Sequence, residues 1–536
     1  MKTTVSTIYI SLFLILNSCN SNQDEYRTIR PDVLKDKIAG GWAGKMIGVT
    51  YGAPTEFRAR AATYEDSIKW QPGDIKGSIW QDDLYVQLTF LMAMDKYGPD
   101  APAKKFQELF AKAGYPLWHA NMQARKNYFD SIFAPISGTP DYNIHADDID
   151  FQIEADYIGF MCPGMPETAD KIAGKIGHIM NYGDGVYGGV FVAALYASAY
   201  FESDIELIVE TALKSIPEES DYYRIIKDVI KLHRHYPDDW RAAWKDLEDK
   251  WGDVDICGAG DPFNIDAKLN GAYIVIGLLY GDGDPYKTLE ISTRCGQDSD
   301  CNPSNALAVL GVIGGFSGLP DDMQAGIRKI ADSVFIHTTY SFNSAVESTF
   351  NYALDLINEN EGSSSGNKIK IRKQEPVAEP FEVSFQDLVF DKSISIFDKD
   401  QWVFKGSWKT RQTTDRNGTN TDQSRYAGKA GDEASISFRG TGIALTGNWV
   451  RDGGKADVFI DGNLHRTIDT YYFFAGQEHV ETIWHVTGLQ PGEHNMQLVV
   501  RGEKRPESEG TQVYLTGATI FNKAPKKSDN YRFSFE

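Results

Sequence analysis

From Pro31 to Asn358, apolar residues recur at intervals of three and four, the spacing that places them on one face of a helix. Residues 106–113, 169–181, 189–200 and 204–215 follow this pattern, as do 222–233, 271–280 and 323–334. Short connections rich in Gly, Asp and Pro separate them, such as Gly281-Asp282-Gly283-Asp284-Pro285. Residues 190–199 and 272–279 are apolar nearly all round, which suits the centre of a large bundle. No sustained β alternation interrupts the stretch, so residues 31–358 are expected to form an all-α domain.

Residues 359–380 break the pattern. Glu361-Gly362-Ser363-Ser364-Ser365-Gly366 has a flexible composition, and 368–380 is charged and proline-bearing, as in an interdomain linker. Beyond it the period changes to two. Residues 434–438, 443–446, 456–461, 481–486 and 496–500 read as short strands, with turns such as Asp461-Gly462 and Gln490-Pro491-Gly492-Glu493 between them. The spacing predicts a smaller all-β sandwich over 381–524.

At 536 residues the chain has room for two cores, and its net charge of −21 disfavours binding to a nucleic-acid backbone or to anionic lipid. Residues 8–16 form an apolar stretch too short to span a membrane, ending in Leu16-Asn17-Ser18-Cys19. This resembles a bacterial lipobox. It predicts a signal peptide over 1–19, lipidation of Cys19, and an exported outer-membrane lipoprotein touching the membrane only through its anchor, on the surface or periplasmic face. Cys162, Cys257, Cys295 and Cys301 show neither zinc-site spacing nor the density of a disulfide scaffold.

Two acidic clusters carry the candidate chemistry. Gln81-Asp82-Asp83 lies between Ile79-Trp80 and an apolar helix-like run, and Asp298-Ser299-Asp300-Cys301-Asn302 precedes another. An Asp pair before a helix often caps it and favours its dipole. Carboxylates set this densely against apolar segments also repel one another and resist burial without a cation or proton. Hard oxygen donors suit Mg²⁺, with Mn²⁺ and Ca²⁺ as alternatives, held as one ion or two.

Further polar groups are candidates for contact with substrate. Asp147 and Asp148 stand in a dense acidic run, His145-Ala146-Asp147-Asp148-Ile149-Asp150 with Glu154-Ala155-Asp156, and Tyr182, Asp184 and Tyr187 in the glycine-rich turn Asn181-Tyr182-Gly183-Asp184-Gly185-Val186-Tyr187-Gly188-Gly189. Asn302 follows the second cluster. Trp118, His119 and Asn121 rank below these. In the sandwich, Trp402, Trp408, Trp449, Tyr471, Tyr472 and Trp484 are candidates for stacking on sugar rings, core packing being the commoner fate of such residues.

Three stretches, in order, resemble the ADP-ribosylglycohydrolase family. Gly40-Gly41-Trp42-Ala43-Gly44-Lys45-Met46-Ile47-Gly48-Val49-Thr50-Tyr51-Gly52-Ala53-Pro54-Thr55-Glu56-Phe57 is similar to its opening helix and Gly-Ala-Pro-x-Glu turn. Gln81-Asp82-Asp83 stands in place of its Thr-Asp-Asp, and Gly296-Gln297-Asp298-Ser299-Asp300-Cys301 in place of its Gly-x-Asp-Thr-Asp-Thr. The resemblance implies an all-α fold, a paired Mg²⁺ site, and hydrolysis at the anomeric carbon of ADP-ribose. It implies metal ligands among Gln81, Asp82, Asp83, Asp298, Asp300 and Cys301, and catalytic roles for Glu56, Asp83 and Asp298. Departures stand beside the matches. Gln81 and Cys301 replace Thr, Leu84 replaces a following Thr, Val49 replaces Asp, and Tyr182-Gly183-Asp184 falls where a His-x-Asp is common. Cys301 trades a hard oxygen for a soft sulfur that suits Mg²⁺ poorly. In the sandwich, Gly440-Thr441-Gly442-Ile443-Ala444-Leu445 with Val458-Phe459-Ile460-Asp461-Gly462 resembles the galactose-binding-like domains appended to secreted glycosidases.

The leading functional expectation is a metal-dependent hydrolase cleaving a glycosidic bond of an extracellular carbohydrate. ADP-ribosyl hydrolysis and a non-catalytic glycan-binding lipoprotein are the alternatives. The residues leave the oligomeric state open.

Overall fold

The computed structural model describes residues 25–252, 255–258, 260–385, 387–414, 420–474 and 480–536. The expected signal peptide and Cys19 lie outside them. No helix among the described residues is long and apolar enough to cross a membrane.

Among the described residues, sixteen α-helices, from Pro31–Gly52 to Phe342–Glu359, build the first domain. Its centre is made by the segments whose sequence is apolar all round. The helices Asp184–Ala199 and Ala267–Gly281 are buried along almost their whole length. Pro31–Gly52 packs lengthwise against Cys301–Gly314, and glycines set the distance. A Cβ on Gly48 would lie 2.3 Å from Ser304 Cα, and one on Gly52 would lie 1.9 Å from Ser299 O. This seam fixes the second acidic cluster against the first helix.

Residues 359–380, expected as a linker, carry structure of their own. Ser363–Ser365 and Lys368–Arg372 pair antiparallel, and Lys368–Arg372 also pairs with Tyr26–Ile29, giving a three-stranded sheet that joins the start of the described chain to the end of the helical domain. Alternation in Lys-Ile-Lys-Ile-Arg turns Ile369 and Ile371 inward, which anchors the strand.

The C-terminal domain is an antiparallel sandwich. One sheet runs Asn463–Asp469, Lys455–Ile460, Gly492–Val500, Glu433–Gly440 and Trp402–Lys405. The other runs Val480–Val486, Gly442–Asn448, Val513–Lys523, Asn420–Ala427 and Lys409–Thr414, with Leu388–Ser395 also paired to Val513–Lys523. Alternating burial along Glu433–Gly440 and Lys455–Ile460 matches the two-residue period of the sequence. Asp461 and Gly462, both at positive φ, close the hairpin between Lys455–Ile460 and Asn463–Asp469. Trp402, Trp449, Tyr472 and Trp484 are buried and pack the domain; Trp408 and Tyr471 are half-buried.

The sandwich is docked on the helical domain. Arg505 pairs with Asp130 as well as Asp469, the Arg466 guanidinium lies 4.4 Å over the Tyr142 ring, and His485 Nε2 meets Pro140 O at 2.6 Å. The chain then returns past the sandwich to the helices, where Lys526 pairs with Asp221 and Phe535 stacks on His235.

Candidate active site

Both acidic clusters sit at helix N-termini, as the capping reading of the sequence requires, and they face each other, as the cation reading requires. Asp82 and Asp83 occupy the first turn of Asp82–Tyr97. Asp300 is the N-cap of Cys301–Gly314, its Oδ1 accepting from Cys301 N at 3.0 Å. The positive ends of two helices therefore lower the cost of carboxylates gathered here.

The loop before Asp298 is held by backbone contacts. Gly296 has φ +86°, and a Cβ there would meet Ala59 O at 2.5 Å and Ala62 O at 2.7 Å. Gln297 N donates to Ala59 O at 2.8 Å and its carbonyl accepts from Phe57 N at 3.0 Å. The same contacts deliver Glu56 beside the loop. Thr55 Oγ1 and Ser299 Oγ meet at 2.7 Å, and Asn270 Oδ1 accepts from Asp298 N at 3.3 Å and from Asn302 Nδ2 at 2.9 Å. The loop is also held from the first helix, where a Cβ on Gly52 would lie 1.9 Å from Ser299 O. Gly52→Ala forces the Ser299–Asp300 backbone to move, and overpacking of this kind costs roughly 1–3 kcal/mol. A thermal melt is expected to show a lowered Tm and a smaller stabilisation by added Mg²⁺.

The result is a cavity of about 290 Å³ lined by Glu56, Asp82, Asp83, Asp150, Glu154, Asp298 and Asp300, with His119, Trp118, Asn121 and Phe57 among its other walls. Donor oxygens of Glu56, Asp298 and Asp300 all lie within 4.8 Å of one another, and those of Asp83 and Asp300 lie equally close to Cys301 Sγ. Asp298 and Asp300 are almost wholly buried, and Asp298 Oδ1 has no hydrogen-bond donor. Burial and the neighbouring acids push Asp298 up to about 7 and Asp300 well above the ordinary carboxylate range. Glu56 keeps solvent contact at the rim; partial burial, then Asp300, Asp82 and Asp83, push it up to about 8. Burial and Asp83 raise Asp82 to about 6. An orphaned buried oxygen among raised, oxygen-only donors fits a hard divalent cation.

One cation is already present behind the pocket. Lys45 is fully buried; its Nζ lies 2.9 Å from Asp83 Oδ1 and 3.1 Å from Asp156 Oδ2, and it donates to Ile153 O at 2.9 Å. Burial alone would lower this ammonium, but Asp156 and Asp83 more than offset that and hold it above its ordinary value. Asp156 is further fixed by Tyr196 Oη at 2.6 Å and Asn305 Nδ2 at 3.0 Å. Cys301 Sγ donates to Asp83 Oδ2 at 3.3 Å, and burial with Asp298, Asp300 and Asp83 keeps the thiol protonated, well above its usual range.

A second wall comes from the helix His119–Phe129. Asp150 accepts from Ala120 N and Asn121 N at its start, and Asn121 Nδ2 donates to Glu154. His119 has a positive φ of 45°, stacks on Phe263 at 5.7 Å, and lies 3.3 Å from Asp148 Oδ2. Burial opposes its charge, but the Asp148 contact, with Asp150, holds the imidazole up to about 9. His145, 2.8 Å from the same oxygen, is pushed down to about 3 by burial and the charge on His119.

Of the residues singled out by sequence, Glu56, Asp82, Asp83, Asp298, Asp300 and Cys301 converge on this pocket. Gln81 N-caps the helix beside it. Asp148 reaches the pocket only through His119, and Asp147 faces away, toward a cavity it shares with Asp184 and Lys526. Tyr187 hydrogen-bonds Pro380 O and Glu382 N, and Tyr182 O accepts from Ser384, so this turn holds the interdomain segment. Asn302 is buried against Asn270. Of the acidic run, Asp150 and Glu154 line the pocket and Asp156 pairs with Lys45 behind it; Lys45 was not singled out, and Trp118, His119 and Asn121 prove to be pocket walls.

A carboxylate-lined pocket in a helical body gives the class. A family model described as ADP-ribosylglycohydrolase matches residues 30–357, and the chain belongs to the ADP-ribosylglycohydrolase family. Among curated proteins, the Flavonifractor plautii "A type blood alpha-D-galactosamine galactosaminidase" is 30% identical over 123 residues, 22% of this chain. The chain spans 10% of that relative's length. A solved "ADP-ribosylglycohydrolase-related protein complex" is 11% identical with a TM-score of 0.44, over 60% of this chain and 99% of that one. A carbohydrate-binding module of the CBM36 type, solved with calcium and xylotriose, is 14% identical with a TM-score of 0.17, over 25% of this chain and all of its own.

Proposed function

We propose that the protein is a divalent-cation-dependent glycosidase that cleaves a bond at the anomeric carbon of an extracellular saccharide. The observation that carries this reading is the approach of Glu56 to Asp298 and Asp300, within 4.8 Å, in a pocket walled by seven carboxylates. One buried ammonium and one imidazole leave most of that charge uncompensated, so the pocket calls for a cation or for protons. Asp298, Asp300 and Glu56, with Asp82 beside them, are the residues that would hold Mg²⁺. When bound, such an ion supplies Lewis acidity and an anchor for sugar hydroxyls.

The chain's own groups supply the proton chemistry. Cleavage of a glycosidic bond passes through an oxocarbenium-like state and needs a carboxyl to move a proton at the leaving oxygen or at water. Glu56, open to the rim and a carboxylate when the cation is bound, is placed to orient a water and take its proton. His119, charged and held by Asp148, faces the same space as a donor to substrate oxygen. A cavity of about 290 Å³ suits one sugar ring, with further units extending outward.

The lipobox-like Leu16-Asn17-Ser18-Cys19, the appended sandwich and the galactosaminidase name of the Flavonifractor relative support an exported saccharide as substrate. The family's name favours a second reading, hydrolysis of an ADP-ribosyl bond. Incubating the purified chain with a glycan panel that includes α-galactosaminides, and separately with ADP-ribosylated protein, separates the two. Saccharide release with Mg²⁺, lost in EDTA, is the expected result. Release of ADP-ribose alone would establish the second reading.

A further inference from the structure

We propose that the Lys45 ammonium is a built-in cation for the inner half of the pocket, so that the protein takes one divalent ion, at Glu56, Asp298 and Asp300, and excludes a second beside Asp83. The inference rests on the reading of the pocket as a cation site, though not on the identity of the substrate.

The pocket holds two overlapping donor groups that share Asp300. The outer one is Glu56, Asp298 and Asp300; the inner one is Asp83, Asp300 and Cys301. They differ in what already faces them. In the outer group Asp298 Oδ1 lacks a donor. In the inner group Asp83 Oδ1 also accepts no hydrogen bond, but it is ion-paired, 2.9 Å from Lys45 Nζ, and Oδ2 accepts from Cys301 Sγ at 3.3 Å.

Lys45 has no alternative position. Its Nζ donates to Ile153 O at 2.9 Å and is ion-paired with Asp83 Oδ1 and Asp156 Oδ2 at 2.9 and 3.1 Å. Its side chain has 0% exposure, and its helix is locked against Cys301–Gly314 by glycine contacts and by Ser304 Oγ donating to Lys45 O at 2.9 Å. A divalent ion on Asp83 would share one carboxylate with a fixed positive charge, both buried where screening is weak. The remaining inner donor is a thiol, a poor partner for a hard cation. Charge and donor chemistry therefore agree on one ion, and they can be separated by substitution.

The measurement is the number of Mn²⁺ ions per chain, by native mass spectrometry and elemental analysis of the full-length protein after exchange into Mn²⁺. Wild type is expected to hold one. Cys301→Thr restores a hard oxygen while leaving Lys45 in place, and is expected still to hold one. Lys45→Met removes the ammonium, and where it folds it is expected to hold two and to require Mn²⁺ for stability. Should that variant not fold, the first two counts still decide. Two ions in wild type, two in Cys301→Thr, or only one in folded Lys45→Met would each overturn the role of Lys45. No ion in wild type would overturn the cation reading of the pocket and this inference with it.

Discussion

Glu56→Gln is expected to lower kcat by about 10²–10⁴-fold, the usual contribution of a positioned proton-transfer group. The substitution keeps the shape of the side chain and removes its ability to exchange a proton. Glu56 lies at the rim with solvent contact, so it packs little core. Partial burial, together with the charges of Asp300, Asp82 and Asp83 around it, raises it to about 8. Removing one acid from such a group relieves repulsion, so the fold of the variant should be at least as stable as wild type in the absence of metal. A loss of turnover with an unchanged or higher Tm is the expected pair of results, from steady-state kinetics and differential scanning fluorimetry. Loss of both would mean that Glu56 serves the fold.

Stability is expected to depend on pH in opposite senses with and without metal. Asp298 is raised from the ordinary carboxylate range to about 7 by burial and like charges, and it is 3% exposed. A carboxyl that binds its proton more tightly in the folded state than in the unfolded chain stabilises the fold while protonated. That contribution is present below about pH 4 and is lost as pH rises through the folded value near 7. For Asp298 the effect is on the order of a few kcal/mol, and Asp300, raised in the same direction, acts in the same sense. Metal-free protein should therefore melt lower at pH 8 than at pH 5. A bound divalent ion prefers the deprotonated form and stabilises only the folded state. Added Mg²⁺ should raise Tm strongly at pH 8 and little at pH 5, as read by melts across that range. A Tm that rises from pH 5 to pH 8 in EDTA would contradict the raised carboxylates.

Much of this architecture was readable from residue order. The period of the apolar positions marked the helices Asp184–Ala199 and Ala267–Gly281 and the strands Glu433–Gly440 and Lys455–Ile460 within a few residues. The acidic clusters were legible because carboxylates stood directly before apolar helices, and Glu56 because its motif resembles that of a family. Lys45 was not legible. A lone lysine on a helix normally reaches solvent with its amine, and only the packing of the fold shows that this helix is buried on all sides from Gly40 to Thr50. The run from Asp147 to Asp156 was legible as acidic but not as a geometry. A helix beginning at Asp150 turns Asp150 and Glu154 toward the pocket and leaves Asp147 on the other side. Tyr187 looked like a ligand contact because it sits in a glycine-rich turn; its partner, the Pro380 carbonyl, is too distant in sequence for local pattern to reveal.

The proposed chemistry depends on a divalent ion at the outer carboxylates. Anomalous diffraction from a crystal soaked in Mn²⁺ tests it most directly. A single peak bounded by Glu56, Asp298 and Asp300, at roughly 2.0–2.3 Å from their oxygens, is the expected result. A peak between His119, His145 and Asp148 instead, or none at saturating Mn²⁺ above pH 8, would contradict it.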